Sequence, residues 1–174
     1  MTLTTTQKNR DRAKSSEQGE NFGLQTAFAE KAQAWAKENV KYRHRGTTKR
    51  GCDCTGLLIG IARELGFLRG YKVRMYPQDW NLHSGASGSF IINELEKFGY
   101  EIPNNEIVEG DVVVFRFGKC IAHAGILVNR KSRVFVHSFL TAGKCQFAIL
   151  KDSIWSKRWV KSYRLNNEKM VSHN

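Results

Sequence analysis

The spacing of apolar residues changes once along this chain, and the change separates a helical part from a stranded part. From Leu24 to Val40, apolar positions Leu24, Phe28, Ala32 and Trp35 recur every three or four residues among good helix formers, which predicts an amphipathic helix. A second helix is predicted over Cys54 to Gly66. There Leu57, Leu58, Ile61, Ala62 and Leu65 make a broad apolar face, Asp53 is an N-cap residue type and Gly66 marks the end. A third, Ser89 to Phe98, buries Phe90, Ile91, Leu95 and Phe98 and stops at Gly99. Between them lie a basic loop, Lys41 to Arg50, and an aperiodic loop, Tyr71 to Gly88, that carries Pro77, Gly85 and Gly88.

After Gly110 the pattern shortens to runs rich in Val, Ile and Phe: Asp111 to Phe117, Ile121 to Val128, Arg133 to Phe139, Cys145 to Leu150 and Val160 to Leu165. Short turn-like clusters such as Asn129 to Ser132 separate them, so five strands in an antiparallel sheet are expected. Helices first and strands later is the α+β order, with the helices packed on one face of the sheet. Residues 1–21 are polar and aperiodic and are expected to form a disordered or loosely held arm; residues 22–166 form one domain, and 167–174 a flexible tail.

A length of 174 residues suits one domain, and 41% hydrophobic residues supply a core. No apolar window reaches the roughly 18 residues of a membrane span, and the polar start carries no stretch of signal-peptide length, so synthesis in the cytoplasm without a membrane span is expected. Charge narrows the partner more than composition does. Lys and Arg number 28 against 16 Asp and Glu, a formal net charge of +12, which implies an anionic partner: nucleic acid or an anionic cell envelope. No aromatic-plus-basic recognition motif accompanies the charge, which disfavours nucleic acid.

The cysteines Cys52, Cys54, Cys120 and Cys145 are too few and too oddly spaced for a disulfide scaffold and read as reduced thiols. Cys54 lies at the first turn of the most apolar helix, where unpaired backbone NH groups and the helix dipole favour a thiolate and hence a nucleophile. A buried structural cysteine is the competing reading. A thiol nucleophile needs an imidazole to exchange its proton, and two histidines fall inside predicted strands: His123, among small residues in Ile121 to Ile126, and His137, in Val134 to Ser138. His44, His83 and His173, in loops and the tail, read as surface residues. Zinc held by Cys52-x-Cys54 and Cys120-x-x-His123 is a rival constellation, although Cys-x-Cys is an unusual structural spacing.

The segments Gly51-Cys52-Asp53-Cys54-Thr55-Gly56-Leu57-Leu58, Gly110 to Phe115, His123-Ala124-Gly125-Ile126 and Val136-His137-Ser138 resemble, in order and spacing, the NlpC/P60 family of cell-wall cysteine peptidases. The Cys-Asp-Cys-x-Gly-Leu run, Trp35 with Tyr42-Arg43-His44, Asp79-Trp80, Arg116 and Trp155 to Arg158 are similar to the phage and gene-transfer-agent subgroup. The resemblance implies a papain-like fold and a catalytic domain over 22–166, with Cys54 as nucleophile, His123 as general base and His137 orienting His123. It places Tyr42, Asp53 and Thr55 where family members line the cleft and recognise the amine end of a peptidoglycan stem peptide. Thr55 replaces the commoner Ser, and Arg45 stands where many members have Gly. No metal or organic cofactor is implied.

The activity implied is hydrolysis of stem-peptide amides, at the γ-D-glutamyl to diaminopimelate bond, by a protein associated with phage or gene-transfer-agent tail proteins and acting on the cell wall. The alternatives are an amidase or acyltransferase of the same superfamily, and a non-catalytic basic tail module.

Overall fold

The computed structural model describes residues 23–76 and 89–173. The polar arm over 1–21, the Asp79-Trp80 pair and His83 lie outside them. Helix α1 covers 23–37, and α2 (Cys54–Glu64) and α3 (Phe90–Phe98) follow the predicted periodicity. The sheet strands β4 (Val112–Phe117), β5 (Cys120–Asn129), β6 (Val134–Phe139), β7 (Lys144–Ile149) and β8 (Trp159–Leu165) fall within a residue of the predicted runs.

The main sheet has six strands, not five, in the order β3-β8-β4-β5-β6-β7, and all its pairs are antiparallel. The added strand, β3 (Gly99–Ile102), starts at the residue that caps α3 and pairs with β8. Only Gly99 and Ile102 of its four residues are buried, so it carries no legible alternation. A side chain at Gly99 would run into the Arg164 carbonyl, and this lack of a side chain lets the chain pass from helix to sheet without a loop. The predicted basic loop also contains a strand, β1 (Thr47–Thr48), which pairs with β2 (Gly51–Cys52) just past the loop's end in a two-stranded ribbon.

Alternation along β4 shows how the sheet is sandwiched. Val112 and Val114 face the helices and pack with Phe28, Trp35, Leu57, Ile61 and Ala124. Val113 and Phe115 face the opposite way, into a second core with Ile107, Leu127, Phe135 and Trp155. Trp155 belongs to a four-residue helix, α4 (Ser153–Ser156), so the face away from the large helices is also covered. Arg164 of β8 donates from Nε and Nη2 to the two carboxylate oxygens of the fully buried Asp111, at 2.9 and 2.8 Å, which ties the start of β4 to β8.

The tail expectation needs correction. Residues Asn167–Val171 form a helix, α5, whose N-cap Asn166 accepts from the Lys169 amide, and Met170 is buried. A single apolar anchor in a five-residue helix leaves no periodicity to read. No helix among the described residues is long and apolar enough to cross a membrane.

Candidate active site

The start of α2 is built around Asp53. Its Oδ1 accepts from the Gly56 amide at 2.8 Å, the N-cap bond expected from its position. Its Oδ2 accepts from the Arg45 amide at 2.7 Å and from the Tyr76 hydroxyl at 2.6 Å. One carboxylate thus gathers the basic loop and the segment before residue 77 over the helix start. Gly56 has no room for a side chain, because a Cβ there would overlap the Gly46 carbonyl. Arg45 adopts a left-handed backbone (φ 58°), a conformation that favours glycine and costs an L-residue about 1 kcal/mol. Immediately before Asp53, Cys52 is fully buried; its carbonyl accepts from Ser138 Oγ of β6 at 2.7 Å, and its Sγ lies 3.4 Å from Cys145 Sγ of β7.

From the sheet side, β5 and β6 bring the two strand histidines together. His123 Nε2 lies 2.9 Å from His137 Nδ1, and both residues are buried. Gln146 of β7 stands opposite His137 in the register, with its side-chain Nε2 3.3 Å from His137 Nε2. Aromatic rings enclose the pair: the Trp155 centroid is 4.7 Å from that of His137, and the Phe139 centroid 5.0 Å from that of His123. Burial among these rings disfavours the charged imidazoles. It holds His123 well below the usual histidine range, with His137 adding to the effect, and lowers His137 to about 4.

A cleft of about 260 Å³ joins the two halves. Tyr42, His44, Asp53, Cys54, Thr55, Tyr76, Ser138 and His123 line it, with Phe117, Phe139 and Leu140 on the apolar side. Five of the six residues singled out from the sequence therefore share one cleft, and His137 stands behind His123. A second cavity, about 20 Å³ between α1, α2 and α3, is apolar and belongs to the core.

Cys54 departs from expectation in its electrostatics. Its thiol is pushed up to about 12, first by burial and then by the neighbouring Asp53 carboxylate; the Ala124 amide and the hydroxyl and amide of Thr55 oppose the shift. A helix N-terminus acts as roughly half a positive charge, which does not outweigh desolvation plus a full negative charge one residue away. Both shifts favour the neutral thiol and the neutral imidazole over an ion pair. The same two causes, burial and Asp53, push the Tyr42 phenol up to about 12.

His44, read from the sequence as a surface residue, lines the cleft. Its Nδ1 is 3.6 Å from Asp53 Oδ2, and its ring meets the edge of Tyr76 at 5.2 Å. Tyr76 and Gln146 also went unnoticed, since each reaches the site through pairing that sequence spacing does not encode. The His173 ring packs against Tyr71 and Phe98. The zinc constellation is not assembled: Cys52 turns toward Cys145, and no group of three or more His, Cys, Asp or Glu placed to hold a metal occurs among the described residues.

Known proteins give the same outline. The murein DD-endopeptidase MepS/murein LD-carboxypeptidase of Escherichia coli strain K12 is 25% identical over 128 residues, which are 74% of this chain and 57% of that protein. This chain thus matches little more than half the length of that curated relative. Among solved structures, an NlpC/P60 family protein from Bacillus cereus superposes with a TM-score of 0.57 at 14% identity, over 82% of this chain and 40% of that one. The NlpC/p60 domain of the peptidoglycan hydrolase SagA superposes with a TM-score of 0.51 at 12% identity, over 80% and 97%. The family model described as the NlpC/P60 family matches residues 39–164, and the chain belongs to that family.

Proposed function

We propose that this protein is a cysteine hydrolase of peptidoglycan stem-peptide amide bonds, with Cys54 as nucleophile, His123 as general base and acid, and His137 orienting His123. One observation carries the reading: a half-buried thiol at the start of α2 opens into the same cleft as His123, whose far nitrogen is held by a second buried imidazole. With Nε2 engaged by His137, Nδ1 of His123 is the nitrogen left to serve the thiol.

From a neutral pair the chemistry runs as follows. Cys54 Sγ attacks the amide carbonyl carbon while its proton passes to His123, and the Cys54 backbone NH helps to stabilise the oxyanion. The imidazolium then protonates the departing amine as the C–N bond breaks, leaving a thioester. Water, deprotonated by His123, attacks the thioester; the product carboxylate leaves and the thiol is restored. His137 accepts from His123 Nε2–H while the ring is charged.

The substrate reading draws on the murein endopeptidase relative and on the cleft. Tyr42 and Asp53 present a phenol and a carboxylate suited to the amine end of a stem peptide, Thr55 supports the thiol, and His44 joins them. The γ-D-glutamyl to diaminopimelate bond is the bond proposed. Lys41, Arg43 and Arg50 are exposed in the basic segment that carries Tyr42 and His44 of the cleft, and suit an anionic wall. The Cys-Asp-Cys run supports a place in a phage or gene-transfer-agent tail.

The test is incubation with purified sacculi and mass spectrometry of the released fragments, with Cys54→Ala as control. Stem-peptide fragments released by the native chain and not by the variant are expected. No fragments, or equal release by both, overturns the reading.

A further inference from the structure

We propose that Gln146 is a positioning residue that fixes the tautomer of His137, extending the chain behind the cleft to His123, His137 and Gln146. This rests on the role of His123 proposed above. Gln146 and His137 are cross-strand partners in β7 and β6, and the side-chain Nε2 of Gln146 is 3.3 Å from the outer nitrogen, Nε2, of His137. The inner nitrogen of the same ring is 2.9 Å from His123. His137 is fully buried, and the aromatic rings packed on it leave those two contacts to decide where its single proton sits.

Proton bookkeeping selects one arrangement. When His123 takes the thiol proton, both of its nitrogens carry hydrogen, so Nε2 can only donate. His137 Nδ1 must then accept, which places the His137 proton on Nε2. A protonated Nε2 needs an acceptor, and the only acceptor a glutamine side chain has is its carbonyl oxygen. In the structure Nε2 is the end nearest the ring; the two ends exchange by a half-turn of the side-chain amide, and the working state requires that turn, which brings Oε1 to the ring. With the amide the other way round, His137 would donate from Nδ1 to His123 Nε2. That would force the single proton of neutral His123 onto Nδ1 and remove the base. No signal in the sequence marks Gln146, because its role depends on the β6–β7 register.

The test pairs a spectroscopic readout with kinetics. Long-range ¹H–¹⁵N spectra of the labelled protein at pH 8 report each ring's tautomer without any need for activity. Both His137 and His123 are expected as the Nε2–H form. In Gln146→Met, His137 is expected to show mixed tautomers, and kcat on a soluble stem peptide to fall at least about ten-fold with KM within about two-fold. Gln146→Glu, whose carboxylate can only accept, is expected to restore the single Nε2–H tautomer and kcat to within about three-fold.

An Nδ1–H form of His137 in the native protein overturns the proposal, as does a Met variant with native tautomer and kcat, or a Glu variant that fails to restore the tautomer. Should Gln146→Met not fold, the native spectrum and the Glu variant still decide. Absence of any stem-peptide cleavage by the native enzyme overturns the hydrolase reading, while the spectrum still tests the hydrogen-bond chain.

Discussion

His123 Nε2 and His137 Nδ1 face one another at 2.9 Å from neighbouring strands, and the rings around them keep both imidazoles away from solvent. Because burial disfavours the imidazolium, His123 is depressed well below its ordinary 6.5, and the proposed general base stays neutral where an exposed histidine would be protonated. The acid limb of kcat/KM on a neutral stem-peptide analogue is expected below pH 6.5. With the Cys54 thiol pushed up to about 12, no rise from thiolate formation is expected between about pH 7 and 9. An acid limb at or above 6.5 in a pH–rate profile contradicts this account.

The same burial links folding to pH. His137 has a folded-state value of about 4 against 6.5 in the unfolded chain, so below 6.5 the unfolded chain takes up a proton that the folded protein refuses. Its contribution to stability is complete above pH 6.5 and is lost as pH falls toward 4, amounting to about 3 kcal/mol. Calorimetric Tm values at pH 7, 5.5 and 4 are expected to fall across this window, and less so in a folded His137→Gln variant. An equal fall in both proteins assigns the acid sensitivity to other groups.

Substitutions separate the roles. Cys54→Ala and His123→Ala are each expected to reduce kcat by about 10³-fold or more, whereas His137→Gln retains a measurable part because an amide still accepts from the His123 ring. Cys120→Ala is expected to leave turnover near native. Cys145→Ala is expected to lower Tm by removing a buried contact with Cys52 while the folded fraction remains active. A His137 variant less active than His123→Ala, with both folded by circular dichroism, reverses the assignment.

Wall binding is expected to depend on salt. Arg43, Arg45 and Arg50 are exposed in the basic segment 41–50, whereas the Lys49 ammonium already pairs with Glu38 at 2.6 Å. Sedimentation with sacculi is expected to fall between about 0.05 and 0.5 M salt as the screening length shrinks. Cleavage of a soluble neutral peptide changes little over the same range. Replacing the three arginines by Ser is expected to mimic the high-salt result. Salt-indifferent binding means that the basic surface serves another partner.

What the sequence made legible follows its periodicities. Three helices and five strands were long enough to carry a 3.6-residue or two-residue pattern, and Cys54, His123 and His137 stood out because each sits inside one. β3 and α5 have too few buried residues to show a period. His44 was misplaced because Asp53 folds its loop inward through the Arg45 amide and Tyr76, and a loop's path is fixed by such partners and not by its own composition. The rise of the Cys54 thiol has a related reason: the helix end is visible in the sequence, but the depth of burial is not.

The bonds that seat the segment before Cys54 come from late in the chain. Ser138 holds the Cys52 carbonyl across 86 positions, and Cys145 meets the Cys52 thiol across 93. A ribosome that has emitted only the first three helices has made Cys54 without His123, His137 or the strands that seat it. The arrangement therefore forms only when β5, β6 and β7 have closed on α2, so a chain ending before residue 137 lacks the second imidazole, the bond to the Cys52 carbonyl and the Cys145 contact.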